Sequence, residues 1–285
     1  MNSLRYRTIS FLSDYGTKDE FVGVVKSVVH SLSPESKVID ISHEVKAHDI
    51  RSGGLTLARA AQYLDQGVVL AVVDPGVGGS RKGVAIEVNG GEYVFVGPDN
   101  GLLAPAVAML GESSRAIELN NSEFHLPSLS PTFAGRDIFA PVAAHLCLGV
   151  PFDELGSPIS VHSLQPGLLP IGGVNGDVAT AEVLWEDRFG NLQLNLSPED
   201  MQELGENLML RFGETSRRVM KVKTFEEIPN SEIGLIVDSS GLLSISMNGR
   251  SASEELQLYE GQQVELTPVK DDRSNSSPVI LRKQR

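Results

Sequence analysis

The first part of the chain alternates short apolar runs with longer amphipathic segments. Runs rich in β-branched residues occupy positions 8–12, 37–41 and 68–73, and each predicts a strand. Between them, residues 21–32 and 50–63 carry apolar side chains at helical spacing. Strands that alternate with helices at this spacing predict a mostly parallel sheet with helices on both faces.

The first predicted helix has a start signal in the sequence. Thr17 and Glu20 have the spacing of a capping box just ahead of Phe21. The helical pattern stops at Ser33-Pro34, since proline cannot continue a helix. Asp14 is thereby placed in the loop that joins the first strand to this helix.

Residues 84–96 add an antiparallel pair to the predicted sheet. The apolar runs 84–88 and 93–96 flank an Asn-Gly-Gly sequence at 89–91, which is a hairpin signal. Further helices are predicted over residues 102–110 and in a segment that ends near Gly149. The predicted fold class is therefore α/β, with a mixed, mostly parallel sheet flanked by helices.

A change of composition divides the chain. Glycine and proline become frequent, which predicts an α/β domain over residues 1–165, a linker over 166–172 and a second domain over 173–285. One helix signal is present in the second domain, where a serine N-cap, a proline and two acids occupy residues 197–200. Short alternating runs predict a small β-barrel there. They lie at residues 178–185, 192–196, 219–222, 233–237, 242–247 and 264–269.

Composition narrows the range of functions. The net charge of −13 argues against nucleic acid or an anionic membrane as the main partner and leaves room for a cationic small molecule. The single cysteine, Cys147, excludes an internal disulfide framework and a thiolate zinc cluster, and its apolar neighbours favour a buried packing role. The sequence contains no apolar run of the ~20 residues that a membrane span needs, and its start lacks the apolar core of a signal peptide. A cytoplasmic location is therefore expected.

A carboxylate follows the most apolar predicted strand. The run 68–73 ends at Asp74, and a turn rich in proline and glycine then leads to Arg81. Ligands often bind at the carboxyl ends of strands in α/β sheets, which favours a catalytic role for Asp74, while the structural alternative is that it caps the turn. The turn lacks the Gly-Lys-Ser/Thr ending of a P-loop, and neither Ser13 nor Ser80 lies in a nucleophile elbow. Nucleotide triphosphatases and serine hydrolases are disfavoured for these reasons.

Four further clusters of polar residues lie in predicted loops. Two of them have clear structural alternatives, because Asp99-Asn100 can shape a turn and Arg136-Asp137 can cap a helix and form an ion pair. The six histidines show no zinc-binding spacing, so no metal site is predicted. The clusters are Phe-Leu-Ser-Asp14-Tyr-Gly-Thr-Lys-Asp19, Gly-Pro-Asp99-Asn100-Gly, Thr132-Phe-Ala-Gly-Arg136-Asp137 and Asp187-Arg-Phe-Gly-Asn191.

Together with Val-Asp74-Pro-Gly-Val-Gly and Arg81, these motifs resemble, in order, those of the S-adenosylmethionine hydroxide adenosyltransferases. That family is related to the fluorinase and chlorinase enzymes, and the resemblance extends over nearly the whole chain. It implies an α/β amino-terminal domain, a β-barrel carboxyl-terminal domain and a homotrimer that binds S-adenosylmethionine between neighbouring subunits. S-adenosylmethionine is then the substrate, adenosine and methionine are the products, and no separate cofactor is expected.

The resemblance also implies roles for individual residues. Asp14 would hold the ribose hydroxyls, because a carboxylate accepts two hydroxyl hydrogen bonds well. Asp187 and Asn191 would hold the amino-acid end of the substrate. The other implied substrate-binding residues are Asp19 in the first motif, Thr132 and Gly135 around the ribose and the nucleophile, and Ser239, Ser240, Met247 and Asn248 around the adenine.

The implied reaction is attack of water on the 5′ carbon of the ribose, which releases methionine as a neutral thioether and leaves adenosine. Water has a pKa of ~15.7 and an ordinary aspartate ~4, a mismatch of roughly 16 kcal/mol, so Asp74 cannot hold a standing hydroxide. We expect Asp74 to orient the water and to accept its proton as the C–O bond forms. Arg81 is expected to fix Asp74 through an ion pair, and these two residues are the predicted catalytic groups.

One position departs from the family pattern. Where the hydroxide-transferring members carry histidine in the motif Thr-Phe-His-Gly-Arg-Asp, this chain has Ala134. A different water network, a weakened or non-catalytic binding protein, and a deliberate substitution are the explanations that the sequence leaves open. His125 lies a few residues upstream and is a candidate for the missing imidazole, although an ordinary loop histidine explains it as well.

Two alternatives to hydrolysis are left open. The first is a non-catalytic protein that binds S-adenosylmethionine or adenosine. The second is a halogenase, which is disfavoured because the negative charge of Asp74 repels a halide.

Overall fold

The computed structural model describes residues 4–128, 130–167 and 170–269. The chain divides into two compact units, Met1–Leu169 and Pro170–Arg285. The division falls inside the predicted linker, residues 166–172, of which Leu168 and Leu169 lie outside the described residues. Residues 270–285, at the end of the predicted β-barrel domain, also lie outside them. No helix in the described segments is both long enough and apolar enough to cross a membrane.

Seven strands and four α-helices make up the described part of the first unit. The strands form one sheet, and helices pack on both of its faces. In chain order the elements are β1 (Thr8–Ser13), α1 (Phe21–Leu32), β2 (Lys37–Ser42), α2 (Ile50–Ala61), β3 (Gly67–Val72), β4 (Gly83–Val88), β5 (Tyr93–Pro98), α3 (Ala104–Leu110), β6 (Ser113–Glu118), α4 (Ala140–Cys147) and β7 (Ser157–Ile159).

The strands of this sheet follow the order β2-β1-β3-β5-β4-β6-β7. The ladders that join β2, β1, β3 and β5 are parallel, whereas β4 runs antiparallel to β5 and β6, and β7 antiparallel to β6. The predicted α/β class, with a mixed sheet flanked by helices, is confirmed. Strands β6 and β7 were not predicted, because β6 buries only Ala116 and Ile117 and β7 is a three-residue edge strand.

Strand β3 is buried along its whole length, as its continuous apolar sequence predicts. Val68, Leu70 and Val72 pack into one cluster with residues of α1 and α4. The alternate residues Val69 and Ala71 join a second cluster with residues of α2 and α3, on the opposite face.

Strand β1 lies beside β3 in parallel register, with Ser13 opposite Val72. All six residues of β1 are buried, so β1 and β3 are both covered on the two faces of the sheet. The loops that follow β1 and β3 therefore leave the sheet at the same edge, and both carry acidic residues.

The start of α1 differs from the predicted capping box. Glu20 is the N-cap residue, and its side chain makes no capping hydrogen bond. The hydroxyl of Thr17 instead donates to Glu44 Oε1 at 2.9 Å. The prediction is wrong because Thr17 lies before the N-cap position, where its hydroxyl does not serve the free N–H groups of the first turn.

Eight strands and one short α-helix make up the described part of the second unit. Seven of the strands close into a barrel in the order β10-β14-β13-β12-β11-β15-β9, since β9 also pairs with β10, and β8 pairs with β9. The predicted β-barrel is confirmed. The elements are β8 (Gly173–Asn175), β9 (Val178–Glu186), β10 (Leu192–Leu194), β11 (Asn207–Phe212), β12 (Thr215–Lys221), β13 (Gly234–Val237), β14 (Leu243–Ser246), α5 (Ala252–Leu256) and β15 (Gln263–Pro268).

Four elements of the second unit differ from the sequence patterns. The predicted helix at residues 197–200 is a 3₁₀ segment, Glu199–Leu204. Strands β8 and β11 were not predicted, and neither was α5, whose five residues are too few to show a helical repeat. The barrel interior is nevertheless filled by the apolar positions of the predicted runs, such as Val183, Leu192 and Ile245.

Candidate active site

The first unit holds a buried ion pair at the end of β3. After β3, the Val77 N–H donates to the carbonyl of Asp74 at 3.2 Å, and Gly78 adopts a φ of +77°. This tight turn brings Arg81 back onto Asp74, with Nε 2.9 Å from Oδ1 and 3.0 Å from Oδ2. The Asp74 side chain is 6% exposed and that of Arg81 16%, so the two charges are held together largely out of water.

Neighbouring residues fix this pair in place. The Arg81 guanidinium lies over the Phe139 ring, with Cζ 5.3 Å from the ring centre. The Asn100 side-chain amide donates to the carbonyl of Val73 at 2.9 Å, directly before Asp74, and its oxygen accepts from the Leu102 N–H. Asn100 therefore holds the backbone directly before Asp74. This is the structural alternative given above for Asn100, in which its side chain shapes a turn.

A cleft of about 250 Å³ opens beside Asp74. Four of the residues singled out in the sequence, Asp14, Asp74, Thr132 and Gly135, lie together in its wall. Asp19 is exposed and is not among the residues that line it. The lining residues are Asp14, Tyr15, Phe21, Ala47, His48, Asp74, Val77, Thr132, Phe133, Ala134 and Gly135.

Asp14 enters the cleft directly after β1. Its backbone N–H continues the sheet by donating to the carbonyl of Val72 at 3.3 Å. Its Oδ2 accepts from the backbone N–H of His48 at 2.9 Å. His48 has a φ of 68°, an uncommon conformation for a residue with a side chain. Sequence patterns gave no signal for this contact, because it depends on the path of the loop after β2.

An aromatic group forms another wall of the cleft. Tyr15 and Phe133 pack edge to face with ring centres 5.7 Å apart, and Phe21 packs edge to face on Phe133 at 5.1 Å. Gly135 lies against the Tyr15 ring, since a Cβ placed there would be 3.2 Å from Tyr15 Cζ and closer still to the hydroxyl oxygen. A side chain at this position would therefore have to displace the Tyr15 hydroxyl.

Tyr15 was not among the predicted site residues, although it follows Asp14 directly in the first motif. Burial raises the pKa of its hydroxyl above the ordinary value, and the negative charges of Asp14 and Asp74 raise it further, against the opposing effect of Arg81. The phenol is therefore neutral at ordinary pH and can donate a hydrogen bond.

The Arg136-Asp137 motif anchors a π-helical segment, Gly135–Phe139, that leads into α4. Arg136 Nε donates to Asp137 Oδ1 at 2.6 Å, and the Ser128 hydroxyl donates to Oδ2 at 2.7 Å. Burial raises the pKa of Asp137, but these hydrogen bonds and the charge of Arg136 lower it by more, so the net shift is downward. The pair ties the loop around Ser128 to the segment that carries Gly135.

Ala134 is buried between this cleft and a larger cavity of about 620 Å³. Arg81 and His125 also line the larger cavity, whereas His125 is not among the residues that line the cleft. Burial lowers the pKa of His125, and its Nε2 has no hydrogen-bond partner within the described segments. His125 thus shares a cavity with Arg81 and Ala134 but lies outside the wall that contains Asp74.

In the second unit, Asp187 organises a tight turn. Its Oδ1 accepts from the backbone N–H groups of Phe189 and Asn191, each at 2.9 Å, and its Oδ2 accepts from the Asn191 side chain at 2.8 Å. Gly190 has a φ of +80° in this turn and approaches Ser251 closely. The predicted pair Asp187 and Asn191 is therefore brought together by direct hydrogen bonds.

A cavity of about 390 Å³ lies beside this turn. It brings together Asn191 and Met247, with the exposed rings of Phe189 and Phe225. The other lining residues are Gly249, Arg250 and Ser251.

The other second-unit residues named in the sequence are not among those that line this cavity. Ser239 and Ser240 lie in a turn where Asp238 Oδ1 accepts from the Ser240 N–H at 2.8 Å. The Asn248 side chain donates to the carbonyl of Ile228 at 3.4 Å. Within residues 4–128, 130–167 and 170–269, no group of three or more His, Cys, Asp or Glu side chains is arranged to hold a metal ion.

The two units define a class of protein in which an α/β unit with a polar cleft at the carboxyl ends of its strands is followed by a β-barrel. The protein-family model for the SAM hydroxide adenosyltransferase N-terminal domain matches residues 9–156 of the sequence. The family model for the C-terminal domain matches residues 181–265. The chain belongs to the S-adenosylmethionine hydroxide adenosyltransferase family, as its motifs predict.

Individual relatives match over nearly their whole length. A protein of Salinispora tropica named (R)-S-adenosyl-L-methionine hydrolase is 40% identical over 259 residues, which cover 91% of this chain and 97% of that protein. A protein of Thermus thermophilus with the same name is 40% identical, with coverage of 91% and 99%. A fluorinase of Actinopolyspora mzabensis is 24% identical, with coverage of 91% and 96%. The crystal structure of an uncharacterized conserved protein from Thermotoga maritima superposes with a TM-score of 0.84 at 33% identity, covering 91% of this chain and 99% of that one.

Proposed function

We propose that this protein is an enzyme that hydrolyses S-adenosyl-L-methionine to adenosine and L-methionine. The observation that carries the proposal is the buried Asp74–Arg81 pair, whose carboxylate lines a cleft that also holds Asp14. Two relatives that are 40% identical carry the name (R)-S-adenosyl-L-methionine hydrolase, and this supports the same activity here.

The proposed reaction is a substitution at the ribose 5′ carbon. A water oxygen forms a bond to this carbon while the carbon–sulfur bond breaks, and the electron pair of that bond stays on sulfur. Methionine leaves as a neutral thioether, so the leaving group needs no acid. One water proton passes to Asp74, and the other stays on the new 5′ hydroxyl of adenosine.

Asp74 acts as the general base in this scheme. The pKa of water is ~15.7 and that of an ordinary aspartate ~3.9, so full deprotonation before attack costs roughly 16 kcal/mol. Proton transfer therefore accompanies C–O bond formation rather than preceding it. Arg81 holds both carboxylate oxygens at 2.9–3.0 Å from Nε, which fixes the direction from which Asp74 meets the water.

Asp14 is proposed to bind the ribose hydroxyls. It shares the cleft with Asp74, and one of its oxygens is already oriented by the backbone N–H of His48. Thr132 and Gly135 form the wall around the same part of the substrate. Asp19 remains a proposed substrate contact, carried from the family motif rather than from the wall of the cleft.

The remaining proposed contacts lie in the second unit. Asp187 and Asn191 are proposed to bind the amino-acid end of the substrate, since Oδ2 of Asp187 keeps an unused acceptor position for an ammonium group. Ser239, Ser240, Met247 and Asn248 are proposed to contact the adenine. We further propose a homotrimer that binds its substrate between neighbouring subunits, a cytoplasmic location, and catalysis without a separate cofactor.

Ala134 favours a second candidate function, in which the protein binds S-adenosylmethionine or adenosine without turnover. At this position a methyl group stands where the hydroxide-transferring members of the family carry an imidazole. Hydrolysis is favoured because the Asp74–Arg81 pair is intact. A halogenase is disfavoured, since the Asp74 carboxylate in the cleft repels a halide ion.

Incubation with S-adenosylmethionine in ¹⁸O-labelled water tests the proposal. We expect adenosine and methionine in equal amounts, with the label in the 5′ hydroxyl, and no 5′-halogenated adenosine when chloride or fluoride is added. Retention of one equivalent of ligand without adenosine would instead establish the binding protein, and a halogenated product would establish the halogenase. The Asp74→Asn variant is the control for turnover by a contaminating enzyme.

A further inference from the structure

Tyr15 brings a third polar group into the wall of the cleft that contains Asp14 and Asp74. Its ring packs edge to face on Phe133 at 5.7 Å and in a tilted arrangement on Phe21, also at 5.7 Å. These contacts hold the ring against the other aromatic side chains of the cleft wall.

Gly135 fixes the hydroxyl end of the same ring. The atoms nearest to a Cβ placed at residue 135 are the Tyr15 hydroxyl oxygen, Tyr15 Cζ at 3.2 Å and Phe133 Cε2 at 3.4 Å. The Tyr15 hydroxyl thus occupies the space that a side chain at residue 135 would fill. Gly135 also lines the cleft, so the hydroxyl lies at the part of the wall that the proposed function gives to the ribose and the nucleophile.

The chemistry of this hydroxyl differs from that of its neighbours. Asp14 and Asp74 only accept hydrogen bonds when ionised, whereas a phenol both donates and accepts. Burial and the two carboxylates raise the pKa of Tyr15, so the phenol keeps its proton in the cleft. A water molecule bound to Asp74 therefore has a neutral donor within the same cleft.

We propose that the Tyr15 hydroxyl donates a hydrogen bond to the water that attacks S-adenosylmethionine, an inference that rests on the proposed hydrolysis. A water molecule has two protons and two lone pairs. Asp74 accepts one proton, Tyr15 donates to one lone pair, and the other lone pair points at the ribose 5′ carbon. Tyr15 keeps its own proton throughout, and the transferred proton goes to Asp74.

This arrangement acts by orienting the attacking water. The hydrogen bonds to Tyr15 and Asp74 leave one lone pair of the water free, and they aim it at the ribose 5′ carbon. Because Tyr15 holds the water rather than the substrate, its hydrogen bond raises kcat and leaves KM for S-adenosylmethionine nearly unchanged.

The Tyr15→Phe variant tests the proposal, because it keeps the ring contacts and removes only the hydroxyl. We expect kcat for adenosine formation to fall about 10- to 100-fold, with KM for S-adenosylmethionine within about twofold of the wild type. Tyr93→Phe is the matched control, since it removes a partly buried hydroxyl that donates to the Leu64 carbonyl away from the cleft, and its kcat is expected to stay at the wild-type value.

Gly135→Ala provides a second, independent variant. In the wild-type background its methyl group displaces the Tyr15 hydroxyl, so kcat should fall about as far as in Tyr15→Phe. When Tyr15→Phe is already present, adding Gly135→Ala should reduce kcat much less than it does alone, because the displaced group is gone.

The outcomes separate this proposal from the proposed function. Wild-type protein that forms adenosine, with an unchanged kcat in Tyr15→Phe, overturns the role of Tyr15 and leaves hydrolysis standing. A raised KM with an unchanged kcat also overturns it, since the hydroxyl then binds the substrate rather than the water. Wild-type protein that forms no adenosine overturns both.

Discussion

The Arg81 guanidinium contacts both carboxylate oxygens of Asp74, with Nε 2.9 Å from Oδ1 and 3.0 Å from Oδ2. The contact spans a turn of only a few residues, which Gly78 permits through its positive φ. Because both side chains are largely buried, the pair fixes the Asp74 carboxylate, which is the proposed base, and balances its charge.

Asp74→Asn removes the proposed base and retains the shape of the side chain. We expect kcat for adenosine formation to fall by about 10²- to 10⁴-fold, the usual contribution of a general base. The affinity for S-adenosylmethionine, measured by titration calorimetry, should change little, since Asp14 is unaltered. A variant that turns over at the wild-type rate would exclude Asp74 as the base.

Arg81→Met leaves the Asp74 carboxylate buried without its partner. The loss of one member of a buried ion pair costs on the order of 3 kcal/mol in the free energy of unfolding, which urea denaturation measures. The control is Arg250→Met, because Arg250 and Glu255 form an exposed pair whose loss should change the free energy by less than about 1 kcal/mol. Equal losses of unfolding free energy in the two variants would mean that the Asp74–Arg81 pair stabilises the fold no more than an exposed ion pair does.

Ala134→His introduces the imidazole that the family motif Thr-Phe-His-Gly-Arg-Asp has at this position. The residue lies in the wall shared by the 250 Å³ cleft and the 620 Å³ cavity, so the larger side chain has space on either side. We expect the rate of adenosine formation to rise, as measured by chromatography at saturating substrate. Ala134→Asn is the matched control, because it adds a polar side chain that is not an imidazole. No increase in Ala134→His would favour a different water network in the native protein.

Asp137 makes stability depend on pH in the acid range. The hydrogen bonds from Arg136 and Ser128 outweigh the effect of burial and place the folded-state pKa below the unfolded value of ~3.9. The stability that Asp137 contributes is therefore complete above about pH 4 and is lost as the pH falls through the folded-state pKa.

Unfolding measurements between about pH 5 and pH 2 test this expectation. In Asp137→Asn the free energy of unfolding should fall less steeply with decreasing pH than in the wild type. Ser128→Ala should give an intermediate slope, because it removes one of the hydrogen bonds that hold the ionised carboxylate. Identical slopes in all three proteins would contradict the assignment.

The sequence predicts the fold where burial is continuous. Strand β3 could be recognised because an apolar run of this length fits a strand covered on both faces. Strand β6 could not, since only two of its six residues are buried and the others are polar. The short helix α5 and the edge strand β7 contain too few residues for a periodic pattern to appear.

Some contacts of the candidate site could be predicted from the sequence, and others could not. The ion pair between Asp74 and Arg81 was expected from the family motif, because a turn rich in glycine leaves the chain many possible paths. The packing of Tyr15 on Gly135 joins residues far apart in the sequence, so only the folded structure reveals it. The first motif nonetheless contained a signal, since Tyr15 directly follows Asp14 in the loop after β1.

The parallel pairing of β1 and β3 has a consequence for substrate selection. Asp14 and Asp74 follow adjacent strands whose backbones are hydrogen-bonded in register up to Ser13 and Val72. The backbone segments from which the two side chains extend are therefore held at the spacing of neighbouring strands, about 4.8 Å, while His48 and Arg81 orient the carboxylates. A ligand that contacts both carboxylates must therefore fit a cleft whose two acidic loops cannot move apart unless the hydrogen bonds between β1 and β3 break.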